Sequence, residues 1–518
     1  MVAYLYIFTC YLLFVNSNEA ARILAMFPIP SISHQVVFRP VIHELARRGH
    51  DVTVITTDPA FPKGGAPANL TEIDIHDISY DIWIKTFMSS PRTDDLMTQA
   101  RLLLDLIIIL FDAQLKEEKV SQFFSPTDEK FDLLILEDCV RPALSLSHFH
   151  KVPVILFSSL GFVVDNYDTL GIPAHPILYP GVPRQILNNL TLWDKISELY
   201  VYLRYHLLIG ESRVYEDAML KRHFGPEFPS ETELANNVDM VFVNVNPVFD
   251  GIRPVPPNTV FVGGLHTIPE KELPADLKTY LDSSKKGVIY ISFGTNVDPT
   301  LLPPEKIQVL VKAFSKLPYD VLWKWNGDEL PGRTANIRIS KWLPQSDLLK
   351  HPNVKLFITQ GGLQSTDEAI AAGVPLIGMP LMVDQWFNVE RYVSHKIGLR
   401  VDLDGVTEDK FRNAILEVME NDSYRQNIVR LDNLMKDQVQ TPLERAVWWT
   451  EYVLRHGGAK HLRSPAANIS WAEYLELELV LTLLAGLLTI LVVLCITVYK
   501  LYKFLSNSFT SPVKSKRN

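Results

Sequence analysis

The sequence predicts a parallel α/β protein built as two facing domains, followed by a membrane-crossing helix. Three observations carry this expectation. At 518 residues the chain exceeds what one core of usual size can serve, so two domains of about 200 to 250 residues are expected. Each half opens on a short apolar, β-rich run followed by helical patterning, as parallel strands joined by crossover helices require. Between 251 and 287 the chain concentrates Pro254, Pro256, Pro257, Gly263, Gly264, Pro269 and Pro274, the composition of a linker.

The elements follow in order. Ala3 to Val15 carries no charge and turns polar at Asn16-Ser17-Asn18-Glu19, which predicts a secretory signal over 1–17 cleaved after Ser17, with a retained anchor as the alternative. Arg22 to Phe27 reads as a strand, His34 to Arg48 as a helix and Asp51 to Thr56 as a second strand, a βαβ unit. Leu133 to Leu136, Val154 to Phe157 and Met240 to Val243 are further buried strands of a first domain spanning 18–265. Leu102 to Phe111 is too short to span a bilayer and reads as a core helix or the wall of a pocket. The second domain, 266–465, has strands from Gly287 to Ser292 and near Val321, Leu356 and Leu376. Leu479 to Tyr499 is uncharged throughout and, at about 1.5 Å per residue, long enough to cross about 30 Å of hydrocarbon. Glu476 and Glu478 precede it and Lys500, Lys503, Lys514, Lys516 and Arg517 follow, which predicts a cytoplasmic tail over 500–518 and a lumenal bulk. Lys514 and Lys516 resemble a dilysine retrieval signal of the endoplasmic reticulum, a solvated basic flank being the alternative.

Composition narrows the function. A net charge of −9 with scattered Lys and Arg excludes a nucleic-acid partner. Cys10 falls in the signal and Cys495 in the span, which leaves Cys139 alone and no disulfide in the lumenal part. Asn69, Asn189, Asn421 and Asn468 head glycosylation sequons. No Gly-X-Gly-X-X-Gly follows a strand, against a dehydrogenase. Asp402-Leu403-Asp404 matches a metal-clamping Asp-X-Asp, but Gly405 and Thr407-Glu408 make it a turn before a helix.

The segment Phe357 to Gln385 (FITQGGLQSTDEAIAAGVPLIGMPLMVDQ) carries the chemistry: a strand ends, Gly361 and Gly362 allow close backbone approach, and a helix start offers free N–H groups to an anion. This string resembles the signature of the UDP-glycosyltransferase family. The likeness extends to Trp342-Leu343-Pro344-Gln345, Ser292-Phe293-Gly294-Thr295, Phe261 to Leu265, His34 and Arg48-Gly49-His50. It implies two Rossmann-like domains of the glycosyltransferase B type, the first holding an acceptor and the second a UDP-sugar. Trp342 would stack on uracil, a core aromatic being the alternative, and Gln345 would bond the nucleoside. Ser292, Gly294 and Thr295 with the amides of Gly361 and Gly362 would meet the diphosphate, and Gln364 and Glu368 phosphate and ribose. Asp384 and Gln385 would grip the sugar, a pairing that favours glucose over an acidic sugar. His34 resembles the catalytic base, with Glu137, where the family often has Asp, favoured as the orienting acid and its neighbour Asp138 as the alternate. One position departs: Gln360 stands where the family commonly has His. A lost charge-assisted bond there forfeits about 1.5–3 kcal/mol.

The implied reaction is transfer of a hexose, glucose foremost, to a hydroxyl of a small lipophilic acceptor, with inversion, no metal and no cofactor beyond the UDP-sugar co-substrate. A lumenal protein that binds the lipophile or nucleotide sugar without turnover is the alternative from another class, and a hydrolase using paired carboxylates is a third reading. The expected place is the endoplasmic reticulum membrane, single-pass, with the membrane, the two substrates and further copies of the chain as partners.

Overall fold

The computed structural model describes residues 20–88, 95–125, 130–163, 165–181, 184–266 and 271–509. The expected signal over 1–17 with Cys10, and Lys514, Lys516 and Arg517 of the expected retrieval signal, lie outside the described residues.

Seven parallel strands form the first sheet: β1 (Arg22–Phe27), β2 (Asp51–Thr56), β3 (Leu70–Asp74), β4 (Leu133–Glu137), β5 (Val154–Ser158), β6 (Val238–Val243) and β7 (Thr259–Phe261), in the order β3-β2-β1-β4-β5-β6-β7. Six more form the second: β8 (Val288–Ser292), β9 (Asp320–Lys324), β10 (Ile337–Ser340), β11 (Val354–Thr359), β12 (Leu376–Gly378) and β13 (Gly398–Arg400), ordered β10-β9-β8-β11-β12-β13. Helices cover both faces, which is why the central strands read as unbroken apolar runs. Every residue of β4, LLILE, is buried. Leu24 and Met26 of β1 pack to one side of the sheet, and Ile23, Ala25 and Phe27 to the other. In the second sheet Ile289, Ile291, Trp323 and Ile358 form the equivalent layer. Truncating one such isoleucine to alanine costs about 2–5 kcal/mol.

The strand order fixes where ligands go. In an open parallel sheet the crevice lies where neighbouring crossovers diverge, beyond the carboxyl ends of the strands. Here that place is between β1 and β4 in the first sheet and between β8 and β11 in the second. His34 follows β1 and Glu137 ends β4, while Ser292 ends β8 and Gln360 follows β11.

Seven helices matter below: α1 (Ile32–Arg47), α2 (Leu96–Gln114), α3 (Leu192–Phe224), α4 (Leu363–Ala371), α5 (Gln385–His395), α6 (Pro442–His456) and α7 (Leu477–Phe509). The Leu102 to Phe111 stretch lies in α2 and is both things expected of it, with Leu106, Leu110 and Phe111 in the core and Leu103 and Ile107 on a cavity. Asp402 to Asp404 leads into the turn at Gly405, φ 68°, and Thr407 caps the next helix. The stretch after 441, expected to belong with the second domain, packs on the first. Ala446, Val447 and Val453 of α6 join Phe38, Val41 and Leu45 of α1 in one cluster, and Arg48 Nη1 lies 3.0 Å from Glu451. His50, whose Nδ1 accepts from the Ala21 amide at 3.2 Å, serves the same packing. α7 contains the expected span 479–499 and is long and apolar enough to cross a membrane.

Candidate active site

The first half of the site follows from β1 ending at Phe27. The chain turns through Pro28 to Ser31, and α1 begins at Ile32 with His34 in its first turn. His34 Nδ1 lies 2.6 Å from Glu137 Oε1 at the end of β4. The Glu137 carboxylate is fully enclosed, and its other oxygen accepts from the Ile29 amide at 3.2 Å. An N–H held on Nδ1 by this carboxylate leaves Nε2 as the acceptor nitrogen.

Asp138, the alternate acid, does not serve His34. Successive side chains at a strand end point to opposite faces, and Asp138 turns to Asn166, whose Nδ2 donates to it at 2.7 Å, with Arg141 Nη1 at 3.9 Å. Burial pushes its carboxyl up to about 6.

On the second sheet, Gly361 (φ 93°) follows β11 and Gly362 is the N-cap of α4. A Cβ at Gly361 would come within 2.6 Å of Val389 Cγ2, and one at Gly294 (φ 75°) within 2.2 Å of Gln360 Nε2, so both turns require glycine. Gln360 is buried, its Oε1 accepting from Thr359 Oγ1 at 3.2 Å. Ser292 Oγ accepts from the Gly294 amide at 3.3 Å, and Thr295 lines the same cavity. Gln345 Nε2 donates to Glu368 Oε2 at 2.6 Å and to Ser365 Oγ at 2.9 Å, while the Tyr290 hydroxyl donates to Gln345 Oε1 at 2.9 Å. Burial raises the Glu368 carboxyl. Trp342 is no core aromatic: it is 67% exposed and lines the cavity, with Lys324 Nζ over its ring 5.6 Å from the centre.

Asp384 and Gln385 begin α5. Val383 before them sits at φ 51°, a conformation that costs a β-branched residue about 1–3 kcal/mol, and its amide donates to Gln99 Oε1 of the first domain at 3.2 Å. This turn carries Asp384 to the cavity near His34, where burial pushes its carboxyl up to about 6 against the opposing pull of an Asn388 hydrogen bond and the His34 charge. Gln385 Oε1 accepts from the Leu381 and Met382 amides at 2.8 and 3.0 Å.

Residues from both domains line one cavity of about 1120 Å³. Gln364, expected on phosphate or ribose, has another partner: its Nε2 donates to the Ser159 carbonyl across the cleft at 3.1 Å, because the first turn of α4 faces the end of β5. The Asn296 amide donates to Ser31 Oγ at 3.2 Å in the same way. Sequence reasoning missed Lys324, whose Nζ donates to the Gly294 carbonyl at 2.5 Å, and Asn388, which donates to the Gly361 carbonyl at 2.9 Å. Lys324 ends β9, and a cation at the carboxyl end of a parallel strand was a readable signal. Among the described residues, His34, Glu137 and Cys139 offer metal-type ligand atoms within 4.8 Å of one another. Burial pushes the Cys139 thiol well up, however, and its proton faces Glu137 Oε1 at 3.7 Å, so it is a poor ligand as it stands.

Two parallel sheets meeting over such a cleft define the class of two-domain glycosyltransferases. The chain superposes on the glycosyltransferase of kitacinnamycin with a TM-score of 0.56, at 18% identity over 84% of this chain and 98% of that one. It superposes on a UDP-glucose:anthocyanidin 3-O-glucosyltransferase in complex with UDP, also with a TM-score of 0.56, at 16% identity over 85% and 100%. Residues 23–515 match the profile of the UDP-glucoronosyl and UDP-glucosyl transferase family, and the chain belongs to that family. It is 38% identical to an ecdysteroid UDP-glucosyltransferase of Lymantria dispar multicapsid nuclear polyhedrosis virus, over 94% of this chain and 97% of the relative. It is 29% identical to UDP-glucosyltransferase 2 of Dactylopius coccus, over 97% and 96%. The protein is thus a glycosyltransferase that takes sugar from a UDP-sugar donor.

Proposed function

We propose that the sugar is glucose, that the acceptor is a hydroxyl of a small lipophile, and that His34 is the base. The observation that carries this is the 2.6 Å contact of His34 with Glu137 at the cavity that Asp384 also lines. With Nδ1–H donated to Glu137, Nε2 takes the acceptor proton as the acceptor oxygen bonds C1 of the sugar. The C1–phosphate oxygen bond breaks on the far side, inverting the carbon. Charge developing on the departing UDP is met by the amides of Gly361 and Gly362 at the start of α4. Lys324 stands where Gln360 brings no charge and supplies a cation to the same end of the cavity. Glu137 stabilises the imidazolium, and no step in this scheme needs a metal.

Glucose is supported by Asp384 and Gln385, which offer carboxylate and amide to neutral hydroxyls and no cation to an acidic sugar. The acceptor side is walled by Trp83, Phe87, Leu103, Ile107 and Phe162. A cavity of that size and character suits a hydroxylated steroid, in keeping with the ecdysteroid in the viral relatives' names. Anchoring by α7 with the two domains on the lumenal side is supported by Lys500 and Lys503, which follow the apolar span 479–499, and the endoplasmic reticulum by the resemblance of Lys514 and Lys516 to a retrieval signal. In that orientation the exposed Asn189 and Asn421 accept glycans. Asn69 does not, its amide being bonded to the Ala46 and His50 carbonyls at 2.6 and 2.8 Å. The test is a microsomal screen of UDP-sugars against steroids and phenols, read by mass spectrometry and by the anomeric configuration of the product. Glucosides inverted relative to the donor are expected; preference for UDP-glucuronate, or free sugar without an acceptor, would refute the assignment.

A further inference from the structure

α3 has two faces that its sequence does not advertise. Leu208, Ile209, Met219 and Leu220 are buried in the first domain, and Tyr205 and Ile209 line the cavity. On the other side Leu192, Ile196, Leu199, Leu203, Leu207 and Val214 are 50–76% exposed. Steps of three, four and seven residues, at about 100° per residue, keep these six within about 80° of one another on one stripe roughly 33 Å long. Trp193 and Tyr200 are exposed along its border, where Lys195 and Arg204 are exposed too. Aromatic rings and long basic side chains beside an apolar stripe are the composition of a helix lying in a bilayer interface.

The chain's own route says which partner meets this stripe. The Asn468 amide donates to the Asp168 carbonyl at 2.8 Å, and the Asp168 carboxylate accepts from Arg213 of α3 at 3.4 Å. Gly171 packs against the backbone of Ala466 and Ala467 so closely that a Cβ would come within 2.7 Å of it. The segment that leads to α7 therefore leaves the protein beside α3. From Asn468 to Leu477 it reaches at most about 30 Å, and the exposed Trp471 and Tyr474 on the way suit a water–hydrocarbon boundary.

We infer that the exposed stripe of α3 lies on the lipid bilayer, in the leaflet that α7 enters. This rests on α7 being a membrane anchor. A lipophilic acceptor dissolved in that leaflet is then separated from the cavity by little more than one helix, about 10–12 Å across. A second copy of the chain is the other occupant such a stripe could take, and the experiment separates the two.

Full-length protein carrying Cys10→Ser, Cys139→Ser and Cys495→Ser is spin-labelled singly at Ile196→Cys, Leu203→Cys, Leu207→Cys, Leu487→Cys or Lys410→Cys and placed in phosphatidylcholine nanodiscs. Collision with oxygen, which concentrates in lipid, is compared with collision with a water-soluble nickel chelate. The expected oxygen-to-nickel ratio at 196, 203 and 207 is several-fold above that at the exposed Lys410 position and approaches that at Leu487. Stripe labels that behave as Lys410 does, with Leu487 in lipid, overturn the docking and spare the anchor. Loss of both collisions with line broadening that grows with the labelled fraction assigns the stripe to a second copy and overturns it equally. Nickel access at Leu487 removes the anchor and the inference together.

Discussion

The two walls of the cavity are made of different material. The donor wall is main chain at strand ends, held by the positive-φ glycine turns at Gly294 and Gly361, with polar side chains and the indole of Trp342 set on it. The acceptor wall is apolar side chain from α2, α3 and the segments around Trp83 and Phe162, none fixed by a turn. A wall of backbone recognises one ligand and tolerates little change, whereas a wall of side chains can be resurfaced without disturbing the fold.

Substitutions should divide along that line. The largest of these effects is expected at Trp342→Ala. Removing a base-stacking indole costs about 1–3 kcal/mol, so UDP should bind about 5- to 150-fold more weakly by calorimetry while the melting temperature, given an exposed side chain, hardly moves. Acceptor KM should stay within twofold; a matching rise would dissolve the division. Next comes pH. Because burial holds the Asp384 carboxyl at about 6, falling pH protonates it and removes an acceptor for sugar hydroxyls. The KM for UDP-glucose should rise as pH drops through about 6, roughly tenfold for one charged hydrogen bond, and be flat above pH 7. Asp384→Asn should erase the inflection. The smallest effect belongs to the other wall: Leu103→Ala should raise acceptor KM about fivefold, from about 1 kcal/mol of apolar contact, and leave the donor KM alone.

The same contrast explains what was legible. The donor wall is contiguous in sequence, so Gly361, Gly362, Asp384 and Gln385 could be read from one string. Lys324 lies outside that string, where only its place at the end of β9 marks it, and Asn388, which bonds Gly361 and Asp384, lies just beyond the string on α5. The bond from Gln364 to the Ser159 carbonyl was not legible, because it exists only once the domains face each other. Central strands were readable since both their faces are buried, but the edge strands β3, β7, β10 and β13, with polar residues among them, were not. α3 escaped because apolar residues on two opposite faces blur the helical period that marks a one-sided helix. The return of α6 to the first domain is a tertiary event with no local sign. Glu137 was favoured over Asp138 on resemblance, and strand alternation supplies the physical reason for the contact that is seen.

At the junction of the two walls stands His34, and it offers the most direct test. Turnover of UDP-glucose with a saturating steroid acceptor should be compared between wild type and His34→Ala in microsomes, with UDP affinity measured on both. A positioned general base is worth about 10²- to 10⁴-fold. A fall in kcat of that size with UDP affinity unchanged is the expected result; equal kcat in the two proteins would contradict the assignment of His34 as the base.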